Sequence, residues 1–496
     1  MRQRALDEWL FDVDGAPSVL LTGISDDSRH LRPGIAFLAY PGAHNDGREF
    51  ISDAIASGVS AIIYESPYDL PACFQNEQVP ILPMPKLSQY RAALAARFYD
   101  DPSRKLPLVG VTGTNGKTSC VDFIAQALSR SDKTCGVIGT LGEGVWPTLQ
   151  STGMTTPGSV SLQRGLDDLL QKGASNIAME VSSHALALGR VEEVVFDIAV
   201  FTQLSRDHLD FHKNMEDYEQ AKMSLFCHPG LRVAIVNVDD PCGRKIVQRE
   251  KEHLSIVGIS LQPISSSEIP MIYLTSVLTQ ESGFEVEVSS PWGVGQLTVP
   301  LLGKFNLYNV MSLIGVLGSW SWSWCDIVSA IEALQPVPGR MQFLGGYNQP
   351  SVVVDYAHTP DALEQVLSTL KEHGYANVHC IFGCGGDRDK GKRSMMAKVA
   401  ESLADKITVT LDNPRSEDPQ KIVDDIMAGF SNPLLVNKIF DRKEAISQAI
   451  HHSSVGDVIL IAGKGHESIQ VIGDQKLPFN DADVVKTILE QRGGCV

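Results

Sequence analysis

Lys117 and Thr118 end the run Thr112 to Thr118, which reads T-G-T-N-G-K-T. A lysine followed by a hydroxyl at the end of a glycine-rich turn is chemistry for phosphate. The N–H groups of such a turn face an anion, the Lys117 ammonium adds a point charge, and the Thr118 hydroxyl can ligate Mg2+. Against the P-loop pattern G-x-x-x-x-G-K-[ST], Gly110 stands one residue too far from Gly116 and Gly113 too near, so the loop is a variant. The rival reading is a plain glycine-rich turn that ends in Lys-Thr.

Other reactive side chains follow apolar runs. After Asn176–Val181 come Ser182, Ser183, His184 and Arg190, with Glu180 at the end of the run itself. A carboxylate at a strand end beside a phosphate loop suits Mg2+ together with Thr118, although a lone Glu is commonly just solvated. After Asp197–Thr202 come Arg206, Asp207, His208, Asp210 and His212. His208 is either a turn residue or a ligand for a second metal. Lys222 falls on a helical stretch, where spacing alone says only that it lies on a helix. Four further runs, Val352–Tyr356, Val378–Gly383, Ile407–Leu411 and Asp457–Gly463, each lead into a charged loop. These loops carry Asp355 and His358; Asp387, Arg388, Asp389, Lys390, Lys392 and Arg393; Asp412, Asn413, Pro414 and Arg415; and Gly463, Lys464, His466 and Glu467. Together they predict a mixed-charge pocket suited to a zwitterion.

The elements that must hold these groups are legible from periodicity. Leu108–Thr112 is a short buried strand bounded by Pro107, and Val121, Ile124, Ala125 and Leu128 form one helix face. Strands alternating with helices predict a mostly parallel sheet, whose ligands gather at the strands' carboxyl ends. Residues 268–300 alternate differently and predict an antiparallel appendage. Val19–Leu21, Ala36–Ala39, Ala61–Tyr64 and Val79–Leu82, with a helix near Ile51–Ser57, predict a small α/β domain before residue 103. Pro336, Pro338 and Gly339 mark a linker before Arg340. The expected division is 1–103, 104–335 and 336–496.

A length of 496 residues agrees with about three domains. The 42 Lys and Arg against 59 Asp and Glu give a net charge of −17, and no basic cluster offers a nucleic-acid face. Nine scattered cysteines without a C-x-x-C pair indicate neither a disulfide framework nor a zinc site. No apolar run is long enough to span a membrane, and Met1 to Trp9 lacks a signal-peptide core. A cytoplasmic, monomeric protein is the expectation.

The phosphate loop, Met154–Pro157, the Y-x-x-A-K-x-x-L-F run from Tyr218 to Phe226, the G-x-F-N-x-x-N run from Gly303 to Asn309, and Asp412-Asn413-Pro414-Arg415 occur in this order over nearly the whole chain. In this the sequence resembles the Mur ligase family, which includes the folylpolyglutamate synthases and joins a carboxylate to an amine through ATP. The resemblance implies three α/β domains: a small N-terminal one, a central P-loop-type ATPase sheet and a C-terminal Rossmann-like one. It implies addition of meso-diaminopimelate to UDP-N-acetylmuramoyl-L-alanyl-D-glutamate through an acyl phosphate, in peptidoglycan synthesis. ATP would be held by Gly113, Thr114, Asn115, Gly116, Lys117, Thr118 and Ser119, with Asn306, Asn309 and Arg340. Lys222 would be carbamylated and, with Thr118, Glu180 and His208, would hold Mg2+; Lys117, Lys222 and His208 would be catalytic.

Ser28 and His44 would take the uridine end of the UDP substrate, and Thr155, Thr156, Ser182 and Arg190 its sugar-peptide. Read alone, the loops of Ser28 and His44 are ordinary polar turns. Arg388, Asp412, Asn413, Pro414, Arg415, Gly463 and Glu467 would bind diaminopimelate. Its second carboxylate suits a bidentate guanidinium, which lysine-adding relatives lack at the position of Arg415; the plain alternative is a structural salt bridge. Asp26, Met154, Leu188 and Gln342 depart from the family pattern. Two rivals stay open: a family ligase with another substrate, and a P-loop switch that hydrolyses nucleotide only to change conformation.

Overall fold

The computed structural model describes residues 3–10, 15–42, 45–71, 74, 78–131, 133–264, 266–280, 283–346 and 348–493. His44 lies outside the described residues. The chain forms two compact units, the first from residues 1–110, 132–198 and 227–232, the second from 111–131, 199–226 and 233–496. The division passes through the Leu108–Thr112 strand.

In the first unit, Gly23–Ser25, Ile35–Ala39, Ala61–Ser66 and Ile81–Pro85 pair in chain order, all parallel. Such a sheet must be covered on both faces, which is why its strands read as continuous apolar runs. Alternate residues of Ile35–Ala39 feed two separate cores. Ala36 and Leu38 meet Trp9, Leu94 and Phe98, while Phe37 and Ala39 meet Ile51 and Ala54. Leu94 and Phe98 belong to the helix Leu87–Tyr99, which hydropathy did not reveal. Also in this unit, Cys135–Gly139 pairs parallel with Asn176–Glu180 and antiparallel with Gly142–Val145.

In the second unit, the helix Lys117–Arg130 buries the predicted face of Val121, Ile124, Ala125 and Leu128. Val233–Asn237, Ser255–Ser260 and Met271–Gln280 run parallel. The chain then turns into an antiparallel meander through Gly283–Ser290 and Gly293–Val299, the expected appendage. A six-stranded sheet follows in the order Gln342–Gly345, Ser351–Asp355, Val458–Ala462, Val378–Phe382, Lys406–Val409, Asn437–Lys438. Only its first pair is antiparallel. The strand Val458–Ala462, last in sequence, lies between two earlier ones, so four charged loops leave the same sheet edge. That is where an open α/β sheet binds ligands.

Candidate functional site

In the second unit, the backbone of the phosphate loop explains its glycines. Gly113 and Gly116 have φ of 145° and 88°, where L side chains are strained. A Cβ on Gly113 would collide with Thr202 Oγ1, and one on Gly116 would lie 2.7 Å from Asn309 Oδ1. The segment after Ile198–Phe201 cradles the loop. Thr114 N donates to Gln203 O at 2.8 Å, and Thr202 Oγ1 donates to Asn115 O at 2.6 Å. Lys117 Nζ donates to Gly113 O at 2.9 Å and Thr114 O at 2.8 Å.

Lys222, on the helix Met215–Met223, reaches the same carbonyl: its Nζ donates to Gly113 O at 2.7 Å. The residue is 1% exposed, with the amine 4.5 Å from the Tyr218 ring centre. Burial, and then the charge of Lys117, push this amine well below the ordinary lysine range. A buried lysine inclined to be neutral is a nucleophile rather than a solvated cation.

Asn306 and Asn309 lie within the helix Phe305–Ser319 and bond each other at 2.9 Å. Arg340 Nη2 donates to Thr118 Oγ1 at 3.1 Å, and its guanidinium stacks 4.4 Å from the Tyr356 ring centre. Ser119, Asn306, Arg340 and Gln342 line one cavity of about 510 Å3 together with Phe123 and Val337. Its size and mixed lining suit a nucleoside.

His208 has φ of 55° and places Nε2 3.5 Å from Asp207 Oδ2. Asp207 itself is the buried centre that motif reading passed over. It lies 3.2 Å from Lys392 Nζ and 3.5 Å from His358 Nε2. Burial would raise its pKa, but His358, Lys392 and His208 outweigh that and hold the carboxyl well below the usual range. Nearby, Arg206 pairs with Asp389 at 3.2 Å, and Asn115 and Gln203 both donate to Asp361 Oδ2, at 3.3 and 3.2 Å. The polar clusters were visible in sequence; their partners, more than 150 residues apart, were not.

The charged loops of the six-stranded sheet converge as expected. Asn413 Nδ2 and Lys464 Nζ both donate to Glu467 Oε2 at 2.8 Å. Asp412 Oδ2 lies so close to Gly463 that a Cβ there would sit 2.6 Å from it. Arg415 has φ of 52° and donates from Nη1 to Gly386 O at 2.9 Å. Burial, and then the neighbouring Arg388, lower its pKa. Arg415 forms no ion pair among the described residues, so a structural salt bridge does not account for it. Arg388 is exposed and donates to the carbonyl of Asp387 at 3.0 Å. Pro414 is buried between Asn413 and Arg415.

In the first unit, Glu180 is 1% exposed; its carboxylate accepts Thr140 N at 2.7 Å and Thr140 Oγ1 at 3.1 Å. Thr140 Oγ1 also meets Thr155 Oγ1 at 3.1 Å, and Thr156 Oγ1 donates to Glu180 O at 2.8 Å. Ser182 N donates to Thr156 Oγ1 at 3.1 Å, and Arg190 Nη1 to Thr156 O at 3.0 Å. Thr155, Thr156, Glu180, Ser182 and Arg190 are thus one hydrogen-bonded group. Ser28 opens a short 3-10 turn, half-buried; next to it, Asp26 accepts the Tyr40 hydroxyl at 2.6 Å.

Among the described residues no three His, Cys, Asp or Glu side chains group as a metal cage. Thr118 in the second unit and Glu180 in the first each offer hard oxygen, the donor type that Mg2+ takes. His208 offers a softer nitrogen, and Lys222 can offer oxygen only as a carbamate. No described helix is long and apolar enough to cross a membrane.

Three family models match consecutive parts of the chain: the Mur ligase family catalytic domain over 20–99, the Mur ligase middle domain over 111–317, and the Mur ligase glutamate ligase domain over 339–465. The UDP-N-acetylmuramoyl-L-alanyl-D-glutamate--2,6-diaminopimelate ligase of Coxiella burnetii is 47% identical over 471 residues, 95% of this chain and 96% of that one. A solved ligase of the same description is 32% identical with a TM-score of 0.68, both chains covered in full. The MurF ligase of Thermotoga maritima, solved with ADP, shares the fold at 18% identity and a TM-score of 0.66, over 95% and 98% of the two chains. A variant phosphate loop, a buried lysine bonded to its carbonyl and this full-length likeness agree: the chain belongs to the Mur ligase family and has its three-domain α/β fold.

Proposed function

We propose that this chain is an ATP-dependent ligase that adds meso-diaminopimelate to UDP-N-acetylmuramoyl-L-alanyl-D-glutamate in peptidoglycan synthesis. The observation that carries the reading is Arg415: a half-buried guanidinium beside Arg388, bonded to carbonyl oxygen and to no carboxylate among the described residues. Diaminopimelate brings a second carboxylate, for which a planar guanidinium is the fitting partner. Asp412 and Glu467, with the Gly463 carbonyl, suit the ammonium on the same far centre, while Lys464 and Asn413 hold Glu467 in place.

The γ-phosphoryl of ATP passes to the glutamyl side-chain carboxylate and ADP leaves. The neutral donor amine attacks the acyl carbon, and the tetrahedral adduct expels phosphate to leave an amide. Lys117 exchanges its loop carbonyls for phosphate oxygens and balances their charge. The Lys222 amine, depressed by burial, combines with CO2 to a carbamate and releases a proton. In the second unit Thr118 and the Lys222 carbamate would supply oxygen for Mg2+, with His208 the candidate for a second metal position; in the first unit Glu180 is the carboxylate candidate. Bound magnesium neutralises charge on the transferring phosphoryl group. The cavity of Ser119, Asn306 and Arg340 takes the nucleoside. Ser28 and His44 serve the uridine end, and Thr155, Thr156, Ser182 and Arg190 the sugar-peptide. The working division is 1–103 for the UDP substrate, 104–335 for ATP and 336–496 for the amino acid, in a cytoplasmic monomer.

The test is phosphate release with each substrate omitted in turn. Release that needs ATP, the UDP-dipeptide and diaminopimelate together supports the reading. Release from ATP alone at the full rate contradicts it and favours a nucleotide switch.

A further inference from the structure

The first unit holds a guanidinium that no role above uses. Arg91 projects from the helix Leu87–Tyr99 and donates from Nη2 to Leu188 O at 2.8 Å, bridging 97 residues of sequence. Its other terminal nitrogen donates to Ser88 O. The guanidinium stands 5.9 Å from the centre of the Tyr40 ring, and the Tyr40 hydroxyl is tied to Asp26 at 2.6 Å. Arg91 therefore bonds the segment Leu188–Arg190 and lies over Tyr40, whose hydroxyl reaches Asp26.

Its charge is uncompensated in a way its neighbours' charges are not. Arg29 pairs with Asp27 at 2.7 Å and Arg48 with Asp46 at 2.6 Å. Arg91 and Arg190 form no ion pair among the described residues and donate only to carbonyls. The two cations are close enough that Arg91 adds to the burial that depresses Arg190. Two neighbouring guanidiniums without a carboxylate repel each other, and an anion with several oxygens between them relieves that repulsion while taking up their free N–H groups.

On the reading proposed above, uridine lies at Ser28 and the sugar-peptide at Thr156 and Arg190. The group between a uridine and its sugar is a diphosphate. We propose that Arg91, with Arg190, holds the diphosphate of the UDP-linked substrate. This inference rests on the UDP-substrate reading of the first unit. It also gives Leu188 a part: its backbone carbonyl, not its apolar side chain, fixes Arg91 in position.

The test compares UDP with uridine by calorimetric titration, with a non-hydrolysable ATP analogue occupying the phosphate loop. Wild type should bind UDP more tightly than uridine. Arg91→Gln should weaken UDP by about 10-fold or more, as expected for a lost charge-assisted contact, and leave uridine within about 2-fold. Arg91→Lys should recover part of the difference. An unchanged thermal transition and unchanged binding of the ATP analogue show that the variants are folded. If Arg91→Gln keeps the wild-type ratio of UDP to uridine affinity, or weakens both ligands equally, the diphosphate assignment is overturned while the UDP-substrate reading stands. If wild type binds neither ligand, both are overturned.

Discussion

Replacing Lys222 by Met should remove catalysis and leave the fold. The lysine stem is buried against Tyr218, and a Met side chain fills much the same space. Its Nζ is one of two donors to Gly113 O. The other, Lys117 at 2.9 Å, remains, so no buried carbonyl is left without a partner. The loss is therefore chemical rather than structural. Removing one preorganised charged contact to a transferring group lowers kcat by about 10^2- to 10^3-fold, or about 3–4 kcal/mol. The amine is held well below its ordinary pKa by burial and then by Lys117, which favours its neutral form. As pH falls through that lowered pKa the amine protonates, reaction with CO2 stops, and activity should decline; above it, activity lost on CO2 removal should return with added bicarbonate. The assay is phosphate release by wild type and Lys222→Met in CO2-depleted buffer, with bicarbonate or formate restored, beside the intact-protein mass. Full wild-type activity without CO2 and without its added mass would refute the carbamate. So would near-normal turnover by Lys222→Met.

Gly116→Ala puts a Cβ 2.7 Å from Asn309 Oδ1 on a backbone with φ of 88°; a left-handed cost of about 1–2 kcal/mol should raise KM for ATP by about 10-fold or more, and an unchanged KM would show that the loop tolerates another backbone. Arg415→Ala should lower kcat/KM for meso-diaminopimelate by about 10^2-fold or more and change L-lysine use far less; equal losses with both donors would mean Arg415 does not read the far carboxylate. Ser28→Ala should raise KM for the UDP substrate and leave KM for ATP unchanged, the pattern of lost remote binding; a dominant effect on ATP would move that loop to another role.

The strands were legible because parallel sheets bury both faces. Asn176–Val181 was expected where Asn176–Glu180 forms, and Val378–Gly383 where Val378–Phe382 forms. The helix Leu87–Tyr99 was missed because its alanines and arginines spread around the axis rather than along one stripe, so no 3.6-residue rhythm marks it. The expected site residues that end strands were placed by position alone. Partnerships were not: Asp207 meets Lys392 185 positions away, Asn115 meets Asp361 246 away, and Arg91 meets Leu188 97 away. Periodicity carries no information about such pairs, which depend on how whole sheets lie against one another. The depressed Lys222 amine is of the same kind. Sequence placed it on a helix, and only burial beside Lys117 makes it reactive.

The mixed-charge pocket around Arg415 should select a donor with two carboxylates. The most direct measurement offers purified protein, ATP and UDP-N-acetylmuramoyl-L-alanyl-D-glutamate either meso-diaminopimelate or L-lysine, and follows phosphate release and product mass for each. A half-buried guanidinium left without its carboxylate should cost L-lysine about 10^4-fold or more in kcat/KM. The expected result is the diaminopimelate-containing tripeptide product and almost none from lysine; comparable kcat/KM for the two donors would mean that the pocket does not read the far carboxylate.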